Sequence, residues 1–178
     1  MRVIKTNFKD LYIIKQIKHE DSRGNLRETF RKNIIKWNNL IFDYVTTSKK
    51  NILRGFHFQS KYKQAKFVSV VKGRILDCVV DLRKSSKTFG KSFSIVLSDK
   101  NCLSLYIPEG FAHAYYSYEN LNIMYYRLSD YYKPNCESGI IWNDKDLKIS
   151  WPNKKPSISK KDKMWEDFKS FRSKFKHL

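Results

Sequence analysis

Apolar residues recur at every second position through much of this chain, in short runs bounded by polar, Gly or Pro residues. That is the period of a half-buried β-strand. Residues 1–18 carry Val3, Ile4, Leu11, Ile13, Ile14 and Ile17, enough for one or two strands. Asp21-Ser22-Arg23-Gly24-Asn25 reads as a turn leading into a short strand over 26–30. The spacing of Ile34, Ile35, Trp37 and Ile41 predicts a helix over 31–43, and the polar run 46–51 a loop. From Leu53 onward, strands are predicted over 53–59, 65–71, 75–82, 93–97, 102–107, 114–118 and 123–128. They do not alternate with helical stretches, which argues against a parallel βαβ sheet and for an all-β sandwich or double-sheet jelly roll. Beyond Trp151-Pro152 the period changes. Trp165, Phe168, Phe171 and Phe175 predict an amphipathic C-terminal helix over 160–176, packed on the sheets by its aromatic side.

A chain of 178 residues, 41% hydrophobic and 15% aromatic, fits one globular domain spanning 1–178. Its formal charge of +19 raises the question of nucleic acid or membrane binding. The lysines are spread along the whole chain, with no basic arm beside a neutral domain. Neither nucleic acid nor membrane is therefore the expected partner, whereas a small phosphorylated substrate would be drawn by the same positive field. The 3 cysteines, Cys78, Cys102 and Cys136, are odd in number and widely spaced, so they form neither a disulfide framework nor a metal pair. The first residues are charged early and hold no long apolar run, so neither a signal peptide nor a membrane span is expected, and a reducing cytoplasm is.

Candidate chemistry concentrates in Leu53-Arg54-Gly55-Phe56-His57-Phe58-Gln59. Strict alternation sends Arg54, Phe56 and Phe58 to one face and Gly55, His57 and Gln59 to the other, with Gly55 leaving room beside His57. A second histidine, His113, follows the turn in Ile107-Pro108-Glu109-Gly110-Phe111-Ala112, so two β segments deliver histidines to one site. Pro108-x-Gly110-x-x-His113 resembles the second metal motif of cupins. The matching first motif would need a histidine where Gln59 stands, and His19 and His177 lie near the ends, so no metal is expected. Without one, His57 is a candidate general base, because an imidazole titrates near working pH. Asp77, Asp81 and Asp162 are the acids placed to orient it. Asp77 interrupts the apolar strand Ile75-Leu76-Asp77-Cys78-Val79-Val80, where a carboxylate is costly unless paired and facing inward. Lys66 opens an apolar strand and is a candidate fixed cation for a developing oxyanion, although pattern alone favours a surface lysine. Tyrosines crowd 115–118 and 125–126, where packing is the default role.

Taken in order, these motifs resemble the dTDP-4-dehydrorhamnose 3,5-epimerase family across nearly the whole chain. The resemblance rests on Asp21-x-Arg23-Gly24-x-x-x-Glu28, Leu53-Arg54-Gly55-x-His57-x-Gln59 and Gln64-x-Lys66-x-Val68. It continues through Asp77-x-x-x-Asp81-x-Arg83-Lys84-Ser85-Ser86-x-Thr88-Phe89-Gly90-Lys91 and Ile107-Pro108-Glu109-Gly110-Phe111-Ala112-His113. Tyr131-Tyr132-x-Pro134, Gly139-Ile140-x-Trp142-Asn143-Asp144, Ile149-Ser150-Trp151-Pro152 and Ile158-Ser159-x-Lys161-Asp162 complete it. The resemblance implies a cupin-type jelly roll with short helices, a homodimer, and an isomerase using no metal or redox cofactor. It implies His57 as base, Asp162 as the carboxylate orienting it, Tyr126 as the acid on the opposite sugar face, and Lys66 as the residue steadying the enolate oxygen. Arg23, Glu28, Arg54, Gln59, His113 and Asp77 fall at substrate-binding or pocket-shaping positions, with Arg23 reaching from a partner subunit. The substrate implied is a nucleotide-activated 4-keto-6-deoxyhexose, inverted at C3 and C5.

Two departures stand out. Phe42-Asp43-Tyr44-Val45-Thr46-Thr47-Ser48 keeps hydroxyls but lacks the family's Gln-x-Asn, and Lys145 follows Asn143-Asp144 where proline is usual. A single-carbon epimerase or ketoisomerase on another nucleotide sugar, or a non-catalytic sugar-nucleotide-binding cupin, fits the same residues.

Overall fold

In the computed structural model, residues 1–34 and 39–175 are described. Alternation builds two facing sheets among them. One, antiparallel throughout, runs β1 (Arg2–Lys5), β2 (Tyr12–Lys15), β10 (Leu103–Ile107), β7 (Lys66–Lys72), β12 (Asn122–Leu128) and β5 (Phe42–Ser48). The other runs β13 (Glu137–Gly139), β6 (Leu53–Gln59), β11 (Phe111–Ser117), β8 (Arg74–Asp81) and β9 (Ser92–Ser98). A separate hairpin pairs β3 (Ile17–Asp21) with β4 (Gly24–Glu28). No ladder joins the two sheets among the described residues, so this is an open jelly roll. It agrees with the all-β expectation. No described helix is long and apolar enough to cross a membrane.

Successive residues of each inner strand serve two different cores. Val68, Val70, Ile75, Val79, Leu105, Tyr115, Met124 and Tyr126 fill the space between the sheets. Their strand neighbours Cys78, Val80, Ala112 and Ala114 face outward, beneath Phe168 and Phe171 of the helix α1 (Phe168–Lys174). Asp167 caps that helix by accepting from Ser170 N–H at 2.7 Å.

Three expectations are corrected. Residues 31–34 of the expected helix are turn and coil, and Phe42 already begins β5; Ile35 and Trp37 lie outside the described residues. The expected loop over 46–51 starts inside β5, because Thr46 and Ser48 point their hydroxyls into the protein, to Tyr115 Oη at 3.2 and 2.9 Å. The aromatic stripe over 160–176 is split: a 3₁₀ turn at Asp162–Met164, an extended Trp165, then α1. Lys176 lies outside the described residues.

Candidate active site

β6 and β11 pair His57 with His113 and Arg54 with Tyr115, so three steps on β6 match two on β11. That bulge overturns the strict alternation. One extra residue turns Arg54 inward with His57, while Phe56 and Phe58 pack outward near α1. Gly55 sits at the bulge with φ +115°, and a Cβ there would lie 2.5 Å from His113 O and 2.6 Å from Ala114 Cβ. Only glycine fits that approach.

His57 donates Nε2–H to Asp162 Oδ1 at 2.7 Å, across 105 residues of chain. The other carboxylate oxygen accepts Gly55 N–H at 3.2 Å, and Asp162 N–H donates to Ser159 Oγ. Burial alone would raise the Asp162 pKa, but the hydrogen bond and charge of His57, with the N–H of Gly55, bring it below the ordinary value. The bond at Nε2 leaves Nδ1 as the nitrogen with a free lone pair, facing Glu137 Oε1 at 3.9 Å. The His57 side chain is 31% exposed, so the ring is reachable from outside.

Glu137 was not singled out from the sequence. Its Oε2 accepts from Lys161 Nζ and from Tyr132 Oη. Burial would raise its pKa, yet those bonds and the His57 charge hold it below the usual carboxylate range. Trp165 also escaped, counted there as part of a helix stripe. Its ring stands edge-on to His57 at 6.2 Å and over Gly139, where a Cβ would meet it at 2.6 Å. A three-residue strand and a single aromatic after a turn carry no local signal for either role.

Lys66, on the first position of β7, is buried between the sheets. Desolvation lowers its pKa to about 8, against the opposing pull of Glu137 and Asp77. Tyr126 is buried on the neighbouring strand β12, and its phenol is held well above 10, chiefly by burial, then by Tyr115, Tyr44 and Asp77, with Arg54 opposing. Asp77 is fully buried and accepts His113 Nε2–H at 2.9 Å, as its apolar strand context required. Arg54 donates Nε–H to Ser48 Oγ at 3.2 Å.

The remaining predicted residues do other things in the monomer. Gln59 commits its amide to backbone, donating to Tyr62 O at 2.7 Å and Tyr131 O at 3.4 Å and accepting from Lys133 N–H at 2.6 Å. Arg23 pairs with Asp21 at the hairpin tip with its side chain 88% exposed, and Glu28 pairs with Arg31. Asp81 lies outside the cluster, bound by Arg83, Ser86 and Thr88. No group of three or more His, Cys, Asp or Glu among the described residues is placed to hold a metal ion.

The family profile described as dTDP-4-dehydrorhamnose 3,5-epimerase matches residues 5–170. The protein of that name from Methanothermobacter thermautotrophicus is 39% identical over 172 residues, covering 93% of each chain. A Legionella pneumophila dTDP-6-deoxy-D-glucose-3,5-epimerase, solved with dTDP-4-keto-L-rhamnose, superposes with TM-score 0.92 at 32% identity over 98% of this chain and 96% of that one. A Bacillus anthracis dTDP-4-dehydrorhamnose 3,5-epimerase, solved with TDP and pyrophosphate, gives 0.89 at 35% identity over 93% and 98%. Profile, sequence and backbone agree over nearly the full length, and the chain belongs to the dTDP-4-dehydrorhamnose 3,5-epimerase family.

Proposed function

We propose that this protein is an isomerase that inverts C3 and C5 of dTDP-4-dehydro-6-deoxy-D-glucose, giving dTDP-4-dehydro-L-rhamnose. The observation that carries the reading is the His57–Asp162 bond at 2.7 Å, which leaves the lone pair of Nδ1 free in a ring that is 31% exposed.

A C4 ketone acidifies the C–H bonds at C3 and C5, because the carbanion formed there spreads its charge onto the carbonyl oxygen. His57 Nδ1 takes the proton, and Asp162 steadies the imidazolium that results. Lys66, charged below its pKa of about 8, stabilises the enolate oxygen. Tyr126 delivers its phenolic proton to the opposite face and recovers one from solvent, so the carbon is inverted. The sequence is redox-neutral and draws on no cofactor. Arg54 supplies a cation for the diphosphate, while His113 and Asp77 form the wall behind Tyr126, whose ring lies 6.0 Å from His113. Gln59 serves the site indirectly, by holding the segment that carries Tyr131.

The active form is a homodimer in this reading. The β3–β4 hairpin pairs with neither sheet and exposes Leu26 at 68%, so a second copy would bring Arg23 and Glu28 to the site. Three unpaired cysteines suit a cytoplasmic location. Turnover in deuterated water tests the chemistry: product should carry deuterium at both C3 and C5. Label at one carbon would make it a single-carbon epimerase, and an active protein exchanging at neither would overturn the reading.

A further inference from the structure

Tyr126 poses a problem of orientation. A proton donor must aim its O–H at carbon, yet the hydroxyl's hydrogen-bond partner among the described residues is Met124 Sδ, at 3.6 Å. A thioether is a weak acceptor, so the proton is left available but the hydroxyl is not anchored. Direction has to come from the ring. Tyr126 is the cross-strand partner of Tyr44 in the β12–β5 ladder, and the two rings stack at 4.6 Å with 18° between their planes. On another side His113 meets the Tyr126 ring at 63°. Tyr44 is buttressed in turn by Phe42 at 5.8 Å, and Phe42 by Tyr131 at 5.7 Å.

We propose that Tyr44 is a positioning residue for Tyr126, whose stacked ring fixes the direction from which the phenol protonates the sugar. The proposal rests on the epimerase reading. A face-to-face aromatic pair adds to simple burial a preference for one relative orientation. A flat partner blocks tilting of the Tyr126 plane, and an aliphatic side chain of similar size would not. Burial, and to a lesser degree Tyr44 itself, also keeps Tyr126 protonated.

The consequence is a competition between two proton sources. After His57 removes a proton, its imidazolium exchanges with solvent and can return a deuteron to the same face, giving exchange with retention. Tyr126 protonates the other face, giving inversion. The ratio of retained exchange to inversion therefore reports how well Tyr126 is aimed, and general destabilisation of the protein lowers both together.

The test measures that ratio by NMR in deuterated water. Tyr44→Leu is expected to raise it about tenfold, Tyr44→Phe to keep it at the wild-type value whatever happens to KM, and Phe42→Leu, which loosens the buttress, to raise it about twofold. Phe42→Leu serves if Tyr44→Leu does not fold. An unchanged ratio in folded Tyr44→Leu, or in Phe42→Leu where that variant alone folds, or an equal rise in Tyr44→Phe, overturns the positioning role. A wild-type protein that turns over yet exchanges at neither carbon instead sinks the epimerase reading.

Discussion

His57 and His113 face each other across the β6–β11 ladder, and each gives its Nε2–H to an aspartate, at 2.7 and 2.9 Å. Beyond that bond the pairs diverge. Asp77 comes from the neighbouring strand and is sealed in, with one carboxylate oxygen, Oδ1, lacking a hydrogen-bond partner among the described residues. Its histidine side chain is 5% exposed, against 31% for His57. Asp162 arrives on a turn from outside the sheets and finds a second donor in Gly55 N–H. The same two residue types thus build a sealed pair in one place and a solvent-reachable imidazole in the other. Access to the second imidazole nitrogen makes the difference.

Variants can break or sharpen that distinction. His57→Ala should lower kcat by roughly 10³–10⁴-fold with the fold retained, as loss of a general base does; a fall as large in His113→Ala would erase the contrast. Asp162→Asn should lower kcat by about 10²-fold with little change in KM, because the imidazolium loses its counter-charge. Asp77→Ala should instead act on stability, by about 2 kcal/mol in urea unfolding, since it strands the buried His113 N–H. The finest effect is on pH. Lys66 is charged below about 8 and neutral above it, so the rate should fall as pH rises through that value. The carboxylate of Asp77 raises the Lys66 pKa, so Asp77→Asn should move the alkaline limb to lower pH. A limb that stays put would uncouple Asp77 from the lysine.

Most strands from Leu53 to Leu128 were legible, because a half-buried sheet stamps a period of two on its residues and Gly or Pro closes each run. β5 was hidden by its polar inward side: Thr46 and Ser48 look like loop residues, yet they spend their hydroxyls on Tyr115 between the sheets. The inward turn of Arg54 depends on a bulge, and strict alternation assumes a regular pleat. Asp77 was readable from the cost of an isolated carboxylate among apolar neighbours. The pairing of Asp162 with His57 spans too much chain for spacing to show, and family resemblance supplied it. Glu137 and Trp165 owe their places to tertiary packing and had no such help.

Asp162 stands on a three-residue 3₁₀ turn, and its carboxylate ties that turn to β6 through His57 and Gly55. Short turns laid on a surface open at lower free energy than the strands beneath them. Gentle warming is therefore expected to silence the enzyme while circular dichroism still reports intact sheets, which would make residual turnover a thermometer for one turn rather than for the jelly roll.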